Sequence, residues 1–261
     1  MLSDLLMDPR IKDIDVDSED RIIKHREILL SKKMIRDVFY EIYNEVLRLE
    51  REYFSEAGEG VRLEIGAGSS LMKEIDPDIK LSDVVTQPGH DMIVDAQNMP
   101  FEPNEVKTVF GIHCFHHIPD PYKFLSEIVR TAKPGGGTIL VEPYYSPTSA
   151  VLFKHLFSNE DYDKNGPSRQ DVSGPMSDAN QALSYVVFKR ERAYFEEHFP
   201  ELEIVHEAPL RNYIRYLVSG GINFRQLLPN FMSPVLRGTE FVLSPLAGLL
   251  ALHHVTVIRK R

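Results

Sequence analysis

The sequence predicts an α/β fold in which a mostly parallel, seven-stranded sheet carries helices on both faces. Short apolar runs typical of buried strands alternate with amphipathic stretches typical of helices. The first such run, 61–65, is followed at once by Gly66 and Gly68. Because glycine permits torsions and close approaches that a Cβ would block, this arrangement predicts a ligand site at the carboxyl end of the strand.

The other strands and the helices follow from the same patterns. After the glycine turn, Ser69 or Ser70 is expected to cap a helix from Leu71 to about Glu74. Further helices are predicted at 121 to about 132 and at 180–198, and a turn is predicted at 133–137. Six more strands are predicted at 79–85, 92–95, 106–112, 138–142, 202–207 and 255–258.

The predicted domain organisation is an amino-terminal helical cap, residues 1–58, on a main domain, residues 59–261. Apolar residues at spacings of three and four predict helices from about residue 19 to 54, with Ser31 capping the second. The periodicity is lost over 146–180, and proline and glycine interrupt helical pieces over 211–252. These two segments are expected to build the chamber that binds the acceptor substrate.

Composition narrows the class of protein. The 261 residues carry a formal net charge of −9, which argues against a nucleic-acid partner. The single cysteine, Cys114, excludes an intramolecular disulfide and fits a reducing compartment. No signal peptide and no apolar run long enough to span a membrane are visible, so a cytoplasmic location is expected. The oligomeric state is not predictable from these observations.

The residues around the glycine turn indicate which ligand binds. A dinucleotide fingerprint requires a third glycine or an alanine where this chain has Leu71. Acidic residues instead lie near the carboxyl ends of the next two strands, at Asp83 and Asp95, and Ala96 comes directly after the second of them. The pattern therefore argues against an NAD-type oxidoreductase, although it does not by itself identify another cofactor.

Glu64-x-Gly66-x-Gly68, Asp83, Asp95-Ala96 and the 133–136 run occur together in this order. In this the chain resembles the class I S-adenosylmethionine-dependent methyltransferases, particularly the small-molecule "type 11" group, over about residues 60–145. The resemblance implies a Rossmann-like sheet and S-adenosylmethionine as the cofactor, with S-adenosylhomocysteine as its product. It also implies cofactor contacts from Glu64, Gly66, Ala67, Gly68, Ser69, Asp83, Val84, Asp95, Ala96 and His113.

Each of these residues has an expected role by the same resemblance. The glycine turn would pass under the methionine part of the cofactor, and Glu64 would hold its amino group. Asp83 would accept both ribose hydroxyls, Val84 would press on the adenine, and Asp95 would take the adenine amino group. His113, at the end of the fourth strand, would face the methyl group.

Three histidines within five residues, His113, His116 and His117, also suggest metal ligation. The run resembles, however, a histidine-rich segment of metal-free methyltransferases of this group. No thiolate or carboxylate partner is visible nearby in the sequence, so no metal site is expected. His117 is either a base or a packing residue.

The expected reaction is in-line transfer of the methyl group to an oxygen atom of a small-molecule acceptor. A hydroxyl acceptor needs a base, for which His113, His117 and Glu142 are the candidates. Glu142 is equally well interpreted as a carboxylate that hydrogen-bonds a loop. Tyr144 and Tyr145 are expected to line the acceptor pocket.

Two alternatives remain open at this point. A catalytically silent relative would keep the fold as a binding protein, and an NAD-type oxidoreductase is the second rival. The uncharged stretch 241–254 is interpreted first as core or lid packing and otherwise as a contact with lipid or a partner subunit. At 14 residues with Pro245 inside, it is too short to span a membrane.

Overall fold

The computed structural model describes residues 5–16, 18–156, 160–170, 174 and 179–261. Its strands are β1 Val61–Ile65, β2 Lys80–Asp83, β3 Met92–Ile93, β4 Val106–Ile112, β5 Ala132–Pro143, β6 Leu202–Pro209 and β7 His253–Lys260. Its helices are α1 Glu19–Ser31, α2 Lys33–Tyr53, α3 Pro121–Thr131, α4 Pro147–His155, α5 Leu183–Tyr185, α6 Arg192–His198, α7 Tyr213–Ser219, α8 Ser233–Val242 and α9 Ala247–Leu250.

Within the described residues, the strands form a seven-stranded sheet in the order β3-β2-β1-β4-β5-β7-β6. β7 runs antiparallel to both of its neighbours, and the other pairings are parallel. The predicted mostly parallel Rossmann-like sheet is confirmed. Chain order reverses on either side of β1, and in open sheets of this type ligands bind at the carboxyl ends of the strands beside that reversal.

Helix α2 covers one face of the sheet. Its apolar stripe is buried against residues of β2, β4, β5 and β7, and it includes Ile35, Val38, Ile42, Val46 and Leu49. Each such side chain stabilises the fold by roughly 1.5–3 kcal/mol when fully buried. The helices of the predicted amino-terminal cap are therefore joined to the core of the main domain, and the boundary at residue 58 stays a prediction.

The α-helix predicted after the glycine turn is wrong. The chain makes only a 3₁₀ turn at Met72–Glu74. Pro77 disfavours helical torsions at Asp76, which leaves about one turn between the glycine turn and that point. The face that a longer helix would cover is taken by α2, whose Tyr43 hydroxyl accepts a hydrogen bond from the Leu71 N–H at 3.2 Å.

Two further boundaries differ from the prediction. Residues 133–137 form a bulged part of β5 rather than a separate turn, since Ala132 pairs with Val106 while Gly137 pairs with Thr108. The break between α1 and α2 falls at Lys32, and Ser31 does not cap α2. The Ser31 hydroxyl instead donates to the Ile28 carbonyl at 2.9 Å within the last turn of α1.

The segment 146–180 is more ordered at its start than predicted. Ser146 caps α4 by accepting a hydrogen bond from the Ser149 N–H at 3.0 Å. Parts of the predicted lid, at 157–159, 171–173 and 175–178, lie outside the described residues. The helix predicted at 180–198 is divided into α5, a π-helical turn at Val186–Arg190, and α6.

The apolar stretch 241–254 divides into two halves. Ala251 and Leu252 are buried, as core packing predicts, whereas Phe241 and Val242 are 78% and 73% exposed. Core packing is therefore wrong for the first half, and the alternative contact with lipid or a partner concerns that half alone. Among the described residues, no helix has the length and apolar character needed to cross a membrane.

Candidate cofactor and acceptor site

A cavity of about 620 Å³ opens at the carboxyl ends of β1, β2 and β4. This volume is in the range of small-molecule sites. All of the cofactor contacts expected from the sequence line it, and so does His117: Glu64, Gly66, Ala67, Gly68, Ser69, Asp83, Val84, Asp95, Ala96 and His113. The fold thus brings residues from several strand ends to one cavity.

The glycine turn after β1 requires glycine for two reasons. Gly66 has a φ of +56°, and a Cβ there would overlap the sulfur of Cys114 and lie 2.9 Å from the Cys114 Cβ. Gly68 has a φ of +47°, and its N–H donates to Asp83 Oδ2 at 3.0 Å. The turn is therefore fastened to the end of β2, with its backbone exposed to the cavity.

Gly66→Ala is expected to destabilise the fold by about 2–5 kcal/mol, because it adds a left-handed torsional penalty to a steric overlap. Gly221→Ala is the matched control, since Gly221 has a φ of +54° and its nearest neighbour, the Tyr216 hydroxyl, would be 3.6 Å away. It should cost only the torsional part, about 1–2 kcal/mol. Urea unfolding measures both variants, and equal losses would contradict the overlap with Cys114.

Glu64 lies under the turn and is 2% exposed. Its Oε2 accepts a hydrogen bond from the Ser70 hydroxyl at 2.7 Å. Burial, with a smaller contribution from the charge of Asp83, raises the pKa of Glu64 to about 8. The carboxyl group is therefore protonated near neutral pH and would gain from a cationic partner.

Asp83, at the end of β2, uses one oxygen for each of two backbone groups. Oδ2 accepts from the Gly68 N–H and Oδ1 accepts from the Val84 N–H at 2.7 Å. A carboxylate has about four acceptor positions, so capacity remains for two hydroxyl donors from the cavity side. Val84 beside it is 50% exposed, and Asp95 is exposed at the next strand end.

His113 lies at the end of β4 in the left-handed region, with a φ of +54°. Its N–H donates to the Val141 carbonyl at 2.8 Å. Burial lowers the pKa of the His113 ring to about 4, so the ring is neutral at pH 7. Among the described residues its Nε2 atom is buried without a hydrogen-bond partner, and His117 Nδ1 has the same property.

Glu142 lies behind the cavity rather than in its lining. It is 1% exposed, and its Oε1 accepts from the backbone N–H groups of Cys114 and Phe115 at 3.0 and 2.8 Å. Its Oε2 lies 2.5 Å from His116 Nδ1. These contacts correspond to the loop-holding interpretation of Glu142.

Glu160 is a cavity residue that the sequence reasoning missed. His116 Nε2 lies 3.3 Å from Glu160 Oε2, and His117 Nε2 lies 3.9 Å from Glu160 Oε1. Burial opposes the charge of His116, but Glu142 and Glu160 outweigh it and raise the pKa of this ring to about 10. Glu160 is 43 residues beyond His117 in a segment without periodicity, so no sequence signal connects the two.

Tyr144 and Tyr145 are half-buried and are not part of the cavity lining. Their rings pack on each other with centroids 4.5 Å apart and on His254. Aromatic side chains that the sequence did not single out line the cavity instead, namely Phe39, Tyr43, Phe153, Tyr216 and Phe224. This aromatic end of the cavity is therefore built by helices α2, α4 and α7 and the segment after α7.

Residues 63–140 match the family model described as a methyltransferase domain. This segment of the chain is therefore similar to a methyltransferase domain. The matched range runs from β1 into β5 and includes the glycine turn, Asp83, Asp95 and the histidines. The aromatic end of the cavity lies outside this match, in α2, α4, α7 and the segment after α7.

The known proteins that are similar to this chain share little of its sequence overall. A 49-residue segment is 41% identical to the chloroplastic tocopherol O-methyltransferase of Arabidopsis thaliana, covering 19% of this chain and 14% of that protein. A geranyl diphosphate C-methyltransferase from Streptomyces coelicolor A3(2), in complex with Mg²⁺, geranyl diphosphate and S-adenosyl-L-homocysteine, has a TM-score of 0.45 and 12% identity over 87% of this chain and 83% of that one.

A SAM-dependent methyltransferase from Archaeoglobus fulgidus has a TM-score of 0.44 and 14% identity, covering 89% of this chain and 98% of that chain.

Proposed function

We propose that this protein transfers a methyl group from S-adenosylmethionine to a hydroxyl oxygen of a small-molecule acceptor by in-line displacement. The observation that carries the proposal is the cavity, which joins the glycine turn and its acidic residues to buried neutral histidines. When bound, the cofactor supplies a sulfonium methyl group. The protein itself positions the two reactants and excludes water.

The residues present fit this cofactor. Gly66 leaves room that a Cβ would fill, and Asp83 keeps acceptor capacity for two ribose hydroxyls. Glu64 would hold the amino group, while Val84, Asp95 and Ala96 would contact the adenine, with Ala67 and Ser69 completing the turn. This assignment rests on their shared position in the cavity lining.

An oxygen acceptor is supported by the neutral imidazoles in the cavity. A hydroxyl must lose its proton as it is methylated, and a neutral imidazole within reach can accept it. We assign this role to His113, because its Nε2 atom faces no competing partner among the described residues. His117 is the second candidate, and Glu142 is engaged by backbone N–H groups and His116.

Calorimetric titration with S-adenosylmethionine, S-adenosylhomocysteine and NAD tests the cofactor. Binding of the first two and not of NAD is expected. Binding of NAD alone would overturn the proposal in favour of an oxidoreductase. Binding of S-adenosylmethionine without any S-adenosylhomocysteine release across a panel of phenols, enols and alcohols would favour the silent binding protein.

Glu64 should release a proton when S-adenosylhomocysteine binds. Its carboxyl group, with a pKa of about 8 in the free protein, would ionise to pair with the ligand's ammonium group. Below about pH 8, affinity should therefore rise with pH, by up to about tenfold per unit. Titrations at about pH 6.5 in buffers of different ionisation enthalpy measure the released proton directly.

Glu64→Gln is the control for this prediction, because glutamine keeps the shape and cannot ionise. A heat of binding that does not depend on the buffer in the wild type would contradict it.

The stability of the fold should depend on pH in the direction opposite to that given by an ordinary salt-bridged acid. The folded state retains a proton that the unfolded chain loses above its usual pKa of 4.5, so the free energy of unfolding should fall as the pH rises from about 4.5 to about 8.

A further inference from the structure

We propose that His116, His117 and Glu160 bind a divalent transition-metal ion in the wall of the cavity. One potential ligand atom from each residue lies within 4.8 Å of the other two. His116 Nε2 and Glu160 Oε2 are 3.3 Å apart, close to the spacing of two ligands that each lie about 2.1 Å from one ion. All three residues line the cavity.

The donor set indicates the kind of ion. Two imidazoles and one carboxylate are the protein ligands of several catalytic zinc sites and of non-haem iron sites. Imidazole suits Zn²⁺, Fe²⁺ or Co²⁺, whereas Mg²⁺ prefers a shell of oxygen ligands. Three protein ligands leave at least one coordination position open towards the cavity.

The residues behind His116 have the arrangement that supports a metal ligand. Glu142 binds His116 Nδ1 at 2.5 Å and is itself held by the N–H groups of Cys114 and Phe115. When an ion displaces the Nε2 proton to solvent, the proton held on Nδ1 by Glu142 leaves the Nε2 lone pair directed at the ion beside Glu160. This carboxylate–histidine–metal order recurs in protein metal sites, where it orients the ring and increases its basicity.

The charges at this position also favour a cation. His116 lies between two carboxylates, Glu142 at 1% and Glu160 at 21% side-chain exposure. A divalent ion bound between these side chains would offset the carboxylate charges and would be within reach of Glu160, His116 and His117 together. The sequence-based expectation of no metal relied on the lack of a carboxylate partner, and Glu160 supplies one.

The site would also narrow the acceptor class, and this step rests on the proposed function. An ion in the cavity wall would bind an acceptor hydroxyl or enol oxygen and lower its pKa, which eases transfer of its proton to His113. Acceptors with two adjacent oxygens, such as catechols and enediols, fit an ion with open positions best.

The test uses the full-length protein after treatment with a chelator. Calorimetric titration with Zn²⁺ should show one bound ion, and Co²⁺ should give visible d–d absorption, whereas Mg²⁺ should not bind detectably. Glu160→Gln and His117→Gln should each weaken Zn²⁺ binding at least about 100-fold, since each removes a ligand. Glu207→Gln is the matched control, because Glu207 also has 21% side-chain exposure and pairs with Lys189 outside the cavity.

Absence of Zn²⁺ binding in the wild type would overturn the proposal, and so would unchanged affinity in Glu160→Gln. In either case His116 is a protonated bridge between carboxylates. S-adenosylhomocysteine titration of the same samples separates this result from the proposed function. Zn²⁺ binding that is lost in the two variants supports the ion site even where S-adenosylhomocysteine does not bind, in which case the methyltransferase proposal alone fails.

Discussion

Asp83→Ala should weaken S-adenosylhomocysteine binding by on the order of 10²–10⁴-fold. The variant removes the acceptor expected for two ribose hydroxyls, and each charge-assisted hydrogen bond contributes roughly 1.5–3 kcal/mol. It also frees the Gly68 N–H, which Asp83 binds at 3.0 Å, so the glycine turn loses its attachment to β2. Calorimetric titration measures the change in dissociation constant.

Asp91→Ala is the matched control for this result. Asp91 lies between β2 and β3, accepts a hydrogen bond from the Leu81 N–H at 2.8 Å and pairs with Lys73, but it is not part of the cavity lining. Its loss should lower stability and leave the affinity within about twofold. Equal losses of affinity in the two variants would mean that Asp83 acts only through the loop, and no loss in Asp83→Ala would refute its ribose role.

His113→Asn should reduce turnover about 10²–10⁴-fold while changing cofactor affinity little, because it removes the assigned base. Asparagine is the appropriate replacement, since His113 has a φ of +54° and asparagine tolerates the left-handed region better than alanine does. The measurement is S-adenosylhomocysteine release with the best acceptor found in screening, alongside calorimetric titration of the cofactor.

His206→Asn provides the comparison, because His206 lies in β6 beside Tyr53 and outside the cavity lining. It should retain turnover within about twofold. If His113→Asn retains turnover as well, the base is His117 or the proton leaves without an imidazole. A parallel loss of cofactor affinity in His113→Asn would instead show that the ring holds the cofactor.

The residues predicted from sequence for the cofactor end share one local property. Glu64, Asp83 and Asp95 each lie within or directly after a strand that its own apolar run predicts. In a parallel sheet the carboxyl ends of neighbouring strands meet at one edge, so position in the chain is enough to bring them together. The residues expected at the acceptor end, Tyr144 and Tyr145, had no such constraint and lie outside the lining.

Helix α2, which covers the glycine turn, also combines a feature predicted by local sequence with one decided by packing. The sequence predicts the amphipathic character of α2 correctly, because a stripe of apolar residues at spacings of three and four depends on local periodicity alone. Whether α2 or a helix after β1 covers this face of the sheet depends on how the elements pack against one another. Nothing in the 71–75 segment itself encodes this choice.

By itself, the sequence determined the seven strands in chain order, the amphipathic helix α2, the glycine turn and the acidic residues of the cofactor end, because these patterns depend on neighbours in the chain. Only the tertiary structure decided the chemistry of the other end of the cavity. It turned Glu142 away from the cavity to hold three backbone N–H groups and a histidine ring. It also brought Glu160 to His116 and His117 across 43 residues of chain, through packing that no local pattern specifies.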